Sequence, residues 1–276
     1  RKLSFQYAVS PPRALTLANI EAFVLPEAPC RLVFVNGVYA PQLSTQARLP
    51  AGVTVDTLAR ANVDHVLIEN HLGRYAQFER DAFPALNTSL LNDGALIATA
   101  KGVSYVQPIH LLFVTSASET PLSSHPRCLV VAERDSECLV IEDYVSIDDG
   151  VYFTNPVTEI VLEDNARVRH VKLQRESHKA FHIATAAVSL GRNAHYSGNN
   201  ISLGARISRN DLRVLQIAEG AECTLDGLTL IGGRQLADTH TIIDHAKAHG
   251  MSRQLNKCIV DGSAHAVFNG KILVRK

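Results

Sequence analysis

The chain has 276 residues, and its 27 lysines and arginines balance its 27 aspartates and glutamates, so the formal net charge is zero with histidine neutral. This balance argues against a protein that coats nucleic acid or binds a membrane through a polybasic surface. Apolar residues make up 46% of the chain and charged residues 20%, a composition that predicts a globular protein with a large core.

The two ends of the chain and its cysteines indicate whether it is a fragment and which cellular compartment it occupies. The chain begins at Arg1 without the residue order of a signal peptide and stops within the strand-like run 272–276, so we interpret it as a fragment truncated at both ends. No stretch approaches the roughly 20 apolar residues of a membrane span. The five scattered cysteines include no Cys-x-x-Cys pair and favour a reducing, cytoplasmic compartment.

The first 94 residues predict a mixed helical and hairpin segment. The run 31–39 predicts a β-hairpin that turns at Asn36-Gly37. Between residues 55 and 91, apolar residues recur three and four apart and predict a helical stretch that Asp56 caps and Pro84 breaks. The apolar positions of this stretch are Leu58, Val63, Leu67, Ile68, Leu72, Tyr75 and Phe78.

From residue 95 to residue 276, short apolar runs of the length typical of β-strands replace the helical pattern. The predicted strands are 109–114, 127–132, 137–141, 159–162, 168–173, 181–184, 201–203, 212–217, 224–230 and 258–260. No amphipathic helix interrupts them after residue 100. We therefore divide the chain into an N-terminal mixed segment, 1–94, and a β-helix core, 95–276.

An internal repeat runs through the core. Four segments share an apolar residue, two mostly polar residues, a small turn residue and an alanine. The alanines are Ala166, Ala194, Ala221 and Ala264, separated by 28, 27 and 43 residues, and the long interval is interpreted as one repeat plus an insertion around 232–249. A fixed period of about 20 to 50 residues with one short turn predicts a solenoid, and strands without helices make it a β-solenoid.

The turn residues support the solenoid, since Asn and Gly tolerate left-handed backbone conformations and the following alanine fits where stacked coils leave little space. A core of aliphatic side chains also agrees with the 6% aromatic content. The alternative is an antiparallel sandwich whose turns coincide by chance, because turn signals about every 8–12 residues are partly present.

The densest polar segment lies between residues 238 and 254. Its His240, Asp244, His245 and His249 are candidate ligands for iron or zinc, since both metals bind imidazole and carboxylate. On an extended strand the first two share one face and the last two share the other, so binding one metal would require a bend. The favoured alternative is that these side chains pair within the solenoid wall or face solvent.

Other kinds of chemistry have weaker support. The remaining histidines are dispersed, and a nucleophile elbow, a P-loop and a dinucleotide fingerprint are missing from the sequence. The acid pairs 142–143 and 148–149 could belong to a polysaccharide-cleaving β-helix, but neighbours on a strand point to opposite faces, and solvated turns are the favoured interpretation. Four cysteines within apolar runs are predicted to be small core residues, namely Cys128, Cys138, Cys223 and Cys258.

A series of motifs follows in fixed order along the chain. They are 83–88, 92–94, 101–103, 108–111, 238–249, 252–254 with Lys257, and 267–271. Together these motifs resemble the SufB/SufD family of iron–sulfur cluster assembly proteins, from about residue 80 to the end of the chain, and the lead-in is more similar to SufD than to SufB.

The resemblance implies a right-handed parallel β-helix flanked by helical segments, which acts as a scaffold without catalysis of its own. In the family SufB pairs with SufD, each carries the ATPase subunit SufC, and ATP turnover rearranges the pair so that a cluster forms at their interface. SufD is associated with iron acquisition for that cluster. The implied compartment is the cytoplasm, or the plastid stroma for a plant protein.

The SufC-binding region and the interface His/Cys motif of the family are expected beyond Lys276, so the resemblance assigns no cluster ligand to this fragment. We expect no cofactor on the fragment, a transient iron–sulfur cluster at the partner interface, and leave flavin binding open. A β-edge contact near the last coil is expected to join SufB, or a second copy in isolation. The alternative function is a β-helix carbohydrate lyase or esterase, which requires a long groove lined with acidic and basic groups.

Overall fold

A computed structural model describes residues 4–8, 15–46, 48–61, 66–77, 79 and 81–275. Val63 and Phe78 of the predicted helical stretch lie outside these residues. The described helices are α1 (Leu17–Ile20), α2 (Val66–His71) and α3 (Ala82–Ser89), with 3₁₀ segments at Glu21–Phe23 and Pro41–Leu43. No helix in these ranges is long and apolar enough to cross a membrane.

Twenty strands make up most of the described chain. In chain order they are β1 Gln6–Tyr7, β2 Cys30–Val35, β3 Val38–Tyr39, β4 Thr45–Gln46, β5 Val53–Thr57, β6 Gly94–Thr99, β7 Ser104–Thr115, β8 Leu122–Ser124, β9 Arg127–Ala132, β10 Glu137–Ser146, β11 Phe153–Thr154, β12 Val157–Leu162, β13 Arg167–Arg175, β14 Phe181–Leu190, β15 His195–Ser202, β16 Ile207–Gln216, β17 Glu222–Ile231, β18 Leu236–His245, β19 Met251–Val260 and β20 His265–Val274.

The strands form two sheets that face each other across a solenoid of about six turns. Sheet A runs from β5 through β6, β9, β12, β14, β16 and β18 to β20, with β1, β8 and β11 at its side. Sheet B runs from β3 through β2, β7, β10, β13, β15 and β17 to β19, with β4 on β2. From β6 onward every strand pairs in parallel with the strand one coil away, which confirms the β-solenoid and contradicts the antiparallel sandwich.

The corner that leads from sheet A to sheet B explains the sequence repeat. In each coil, one residue of this corner has a left-handed backbone conformation, with φ between 52° and 70°. These residues are spaced 27 to 30 positions apart and are Asp135, Asn165, Asn193, Gly220 and His249. The predicted insertion around 232–249 is wrong, because that stretch holds the regular strand β18. The fourth alanine of the sequence repeat, Ala264, lies at the opposite corner, between β19 and β20.

The alanines of the first three repeats behave as predicted. Ala166, Ala194 and Ala221 have no solvent exposure and face the space between the sheets, which we call the lumen. In the early coils the lumen is filled by apolar side chains, including a stack of Phe34, Phe113 and Tyr144 with ring centroids 5.0 and 4.8 Å apart. Dense aliphatic and aromatic packing of this kind supplies most of the stabilising burial.

The N-terminal segment agrees with the prediction in part. The hairpin is confirmed: β2 and β3 pair across Asn36 and Gly37, which have φ of 50° and 82°. The long helical stretch is wrong, because Asp56 belongs to β5 and the helices that follow are short. Pro84 does not break a helix but occupies the third position of α3, where a missing N–H costs no intrahelical bond.

We call the described residues 66–77, 79 and 81–90 the N-terminal strap, and they lie along the outer face of sheet A. The apolar residues of α2 pack against the outer side chains of β6 and β9. The side chain of Asn87 donates to the carbonyl oxygens of Pro126 and Asn155 at 3.0 and 2.8 Å. Farther along, Arg213 donates to Asp81 at 3.4 Å. The apolar residues whose spacing predicted one long helix thus pack, from short helices and turns, against the outer face of sheet A.

A glycine at the start of β6 permits close contact between coils. A Cβ added to Gly94 would overlap the backbone carbonyl of Arg127 on the next strand. We expect Gly94→Ala to lower the free energy of unfolding by about 1–3 kcal/mol or more, because backbone must move to make room. Gly232→Ala is the control, since its Cβ would lie 3.9 Å from the nearest side-chain atom. Equal urea midpoints for the two variants would contradict the expectation.

Candidate functional site

The lumen changes character in the middle coils, where charged and polar side chains replace the aliphatic ones. Strand β13 shows why: Val168 points inward, so His170, Lys172 and Gln174 on the same face point inward too. We call the resulting group the lumen cluster. Its members are Glu142, Tyr144, Thr154, Thr158, His170, Lys172, Gln174, Glu176, His182, Tyr196 and Asn210, and all of them are buried.

Glu142 on β10 is the acceptor at the centre of one half of the cluster. Its Oε1 accepts from Thr158 Oγ1 at 2.8 Å and from His170 Nε2 at 3.0 Å. Its Oε2 accepts from the Tyr144 hydroxyl at 2.7 Å. Burial opposes ionisation of this carboxyl, but His170 and the two hydroxyls outweigh it and lower the pKa of Glu142 to about 2.

A relay of hydrogen bonds leads from Glu142 along the solenoid axis. Because the ionised carboxylate only accepts, His170 Nε2 carries the proton of their bond. His170 Nδ1 lies 2.9 Å from the Tyr196 hydroxyl, which donates to it when the imidazole is neutral. Burial raises the pKa of Tyr196, so its hydroxyl keeps its proton. The three side chains connect three successive coils through one line of proton-carrying bonds.

Glu176 organises the other half of the cluster, at the corner that follows β13. It accepts from Thr154 Oγ1 at 2.7 Å and from Gln174 Nε2 at 3.1 Å, and His182 Nδ1 lies 2.7 Å from its Oε2. Burial lowers the pKa of His182, although Glu176 acts in the opposite direction. The carboxylate thus accepts hydrogen bonds from Gln174 on β13 and from Thr154 on sheet A, with the His182 ring of sheet A beside it.

Lys172 lies between these two halves. Its Nζ donates to Asn210 Oδ1 at 2.9 Å and lies 5.6 Å from the centre of the Tyr144 ring. Burial lowers the pKa of Lys172 to about 8, against the opposing effects of Glu142 and Glu176. The ammonium faces a small cavity of about 30 Å³ inside the lumen.

The alternation of residues along β13 indicates this cluster, but the strands and turns predicted from the sequence did not include it. The solvated turn predicted for Glu142 and Asp143 is wrong, because both residues are buried on β10, on opposite faces of the strand. Asp143 faces outward and accepts from Arg175 at 2.6 and 3.1 Å. The missed signal is the alternation on β13, where an inward Val168 places two ionisable residues in the core.

The four candidate metal ligands lie apart from the lumen cluster and have other contacts. His240 Nε2 is 2.8 Å from Asp238 Oδ1, and Asp244 accepts from Arg275 at 2.5 and 2.9 Å. His245 Nε2 lies 3.0 Å from Ser252 Oγ, and the exposed His249 occupies a corner. Across the described ranges, no three His, Cys, Asp or Glu side chains lie close enough together to hold a metal ion.

The cysteines follow the prediction with one exception. Cys128, Cys138 and Cys223 are buried small core residues, as predicted, whereas Cys258 is exposed. Burial raises the pKa of Cys138 to about 12 and that of Cys223 to about 11, which keeps both as unreactive thiols at neutral pH. Inside the lumen, the geometry therefore provides hydrogen bonding and charge from the lumen cluster, and these two cysteines act as core residues.

Comparison with known protein families covers almost the whole chain. Residues 113–276 match the model described as "SUF system FeS cluster assembly, SufBD core domain", and residues 25–111 match the "SufBD protein N-terminal region". The first match spans the solenoid coils from β7 onward, and the second spans the hairpin and the strap.

Individual relatives give the same result. The chain is 38% identical, over 95% of its length and 60% of the relative's, to the iron–sulfur cluster assembly SufBD family protein slr0076 of Synechocystis. It is 32% identical to the chloroplastic protein ABCI7 of Arabidopsis thaliana, over 71% of the chain and 43% of the relative. It is 28% identical to SufD of Escherichia coli, over 88% of the chain and 56% of the relative. The chain thus spans about half the length of these relatives.

Proposed function

The chain belongs to the SufBD family of iron–sulfur cluster assembly proteins, and from this premise we propose that it acts as a scaffold subunit of a SufBCD-type complex. The observation that carries the proposal is the match to the SufBD core domain over residues 113–276, the part of the chain that forms the stacked coils. A relative that covers most of the chain is named SufD, which supports the assignment to the SufD branch.

In this proposal the protein pairs with a SufB-type solenoid and with a SufC-type ATPase, and it aids the delivery of iron. The cluster is cargo at the contact between the partners, and ATP hydrolysis belongs to the SufC-type subunit. We place the complex in the cytoplasm, or in the plastid stroma for a plant protein, and the chloroplastic name of one relative is in keeping with the second location.

The geometry lends little support to the rival function, a carbohydrate-active enzyme. Two outer grooves of about 730 and 320 Å³ each contain one carboxylate, Asp261 and Asp244. The second of these carboxylates is already held by Arg275. A third groove of about 220 Å³ on sheet B contains Glu137 and Glu222, but these residues lie three strands apart in register, so their Cα atoms are about 14 Å apart. Glycoside cleavage by the usual route uses two carboxyl groups on either side of the scissile bond.

Co-purification tests the proposal. The full-length protein, coexpressed with the SufB-type and SufC-type proteins of the same organism, is expected to elute with both as one complex, and iron–sulfur absorbance is expected to appear on anaerobic reconstitution. Omitting the protein is expected to reduce the iron recovered with the SufB-type partner. A protein that elutes alone in the presence of both partners, and whose omission leaves the iron content unchanged, would contradict the proposal.

A further inference from the structure

Lys172 is a buried charge whose hydrogen bonding is incomplete. An ammonium has three N–H donors, and in the described part of the chain Lys172 uses one of them, toward Asn210 Oδ1. Its relative exposure is 6%, so bulk water does not supply the missing acceptors. Buried charges are stabilised by paired charges and hydrogen bonds, and a single amide oxygen is a weak partner for a full positive charge.

The two nearest carboxylates are occupied elsewhere. Glu142 accepts from three side chains, and Glu176 is surrounded by Thr154, Gln174 and His182. Both attract Lys172 through space, but neither forms a direct ion pair with it among the described residues. The ammonium therefore has free donors although acidic groups lie in the same cluster.

Those donors border the lumen cavity. The cavity of about 30 Å³ has room for about two water molecules or for an anion of one to three atoms, and it is far too small for a nucleotide or a sugar. Its lining beyond the cluster includes amides and hydroxyls, from Asn199, Asn200, Thr239, Thr241, Gln254 and Asn256, together with apolar side chains and one carboxylate, Asp226 on the exposed side of β17.

Two further features of the lining concern Tyr196, which closes one wall, and Asn200, whose amide can present either its oxygen or its N–H groups. Gly198 leaves space for the Tyr196 ring, because a Cβ there would lie 2.8 Å from the ring, so the tyrosine can fold over and cover one wall. The buried Oδ1 of Asn200 has no partner in this structure, while its Nδ2 donates to Ser202 at 3.3 Å. Turning this amide by 180° keeps a bond with the Ser202 hydroxyl as donor and directs N–H groups to the unpaired side.

We propose that the lumen beside Lys172 binds one small monovalent anion, held by the Lys172 ammonium and by the amide and hydroxyl groups of the cavity wall. The anion accepts the free N–H bonds and neutralises the buried charge. Charge-assisted hydrogen bonds of this kind are about twice as strong as neutral ones, which offsets the removal of a small anion from water.

The affinity is expected to depend on pH, because only the protonated amine provides the charge. Titratable groups surround Lys172 on every packed element: Glu142 and Tyr144 on β10, His170 on β13, Glu176 at the corner, His182 on β14, Tyr196 on β15 and Asp226 on β17, while Asp211 on β16 acts from the outer face of its strand, where it pairs with Arg209. Since the pKa of Lys172 is about 8, binding is strongest below that pH and is lost as the pH rises through it.

Bromide is a suitable probe because it is monovalent and scatters anomalously. We expect an anomalous peak beside Lys172 Nζ in bromide-soaked crystals of the full chain, and saturable bromide binding in calorimetry at pH 6.5. At pH 9.5 the affinity is expected to fall by about tenfold or more. Lys172→Met is expected to abolish binding, whereas Lys179→Met is the control, because Lys179 is an exposed lysine paired with Asp149.

The wild-type pH series keeps the proposal testable if Lys172→Met fails to fold. Bromide is also expected to raise the pKa of the Lys172 ammonium, measured by NMR of the lysine side-chain nitrogen. Water without an anomalous peak in the cavity, equal affinity at both pH values, or full binding by a folded Lys172→Met protein would each overturn the proposal. None of these readouts involves cluster assembly, so a failure here leaves the proposed function intact.

Discussion

Glu159→Gln is expected to lower the free energy of unfolding by about 3–5 kcal/mol. The Glu159 carboxylate is fully buried between sheet A and the N-terminal strap and accepts from Arg127 at 2.8 and 3.2 Å. It also accepts from the backbone N–H groups of Gly73, Tyr75 and Ala76, at 2.7, 2.7 and 2.9 Å. Glutamine keeps the shape of the side chain but leaves the buried Arg127 without its anionic partner. Its amide NH₂ group also faces the N–H groups that now donate to the carboxylate.

Urea unfolding at pH 7 measures this loss, with Glu222→Gln as the matched control. Glu222 forms an ion pair of 2.7 Å with His195, but 44–46% of both side chains is exposed. An exposed pair of this kind contributes about 0–1 kcal/mol, so its loss should change the urea midpoint little. If the two variants lost similar stability, Glu159 would not be holding the strap.

Acid is expected to destabilise the solenoid partly through Glu142. Its pKa falls from the ordinary 4.5 to about 2 on folding, so its contribution is complete above pH 4.5 and is lost as the pH falls toward 2. A tenfold change in the proton affinity of a group corresponds to about 1.4 kcal/mol, which gives a contribution of roughly 3 kcal/mol for this fully buried carboxyl. The difference in unfolding free energy between the wild type and Glu142→Gln should therefore shrink by about 2–3 kcal/mol between pH 5.5 and pH 2.5.

Unfolding curves at several pH values in this window test the expectation. The Glu222→Gln protein provides the comparison, since its exposed carboxylate should leave the pH dependence close to that of the wild type. Parallel pH curves for the wild type and Glu142→Gln would show that Glu142 is already neutral in the folded protein.

The solenoid was predictable because its corners repeat residues that tolerate a left-handed backbone conformation, followed by a small residue, at nearly constant spacing. The sequence repeat wrongly places Ala264 at the same corner as the other three alanines. The physical cause is that both corners of a coil use small turn residues, so the two corners have similar sequence motifs. Strand β18 escaped prediction because its inward face carries Thr239 and Thr241, where a hydrophobic pattern would show aliphatic residues. Polar lumen positions weaken the signal of a strand.

The lumen cluster could be predicted only halfway. Alternation along one strand places His170 and Lys172 inside, but it does not reveal which side chains of the neighbouring coils meet them. That depends on the register between strands about 30 residues apart, which pairs Glu142 with Lys172 and sets His170 beside its carboxylate. Local patterns determine the face of a side chain, whereas its partners follow from the stacking of coils.

The N-terminal strap alters the way in which the solenoid can come apart. In a simple repeat protein each coil contacts only its neighbours, and unfolding can proceed one coil at a time from either end. Here the described residues of the strap contact strands from β6 to β16, through Glu159 in the middle and Arg213 at the far side. These coils are therefore tied into a single cooperative unit, and stepwise loss of structure is left to the coils of β17 to β20, with which the described residues of the strap form no hydrogen bond.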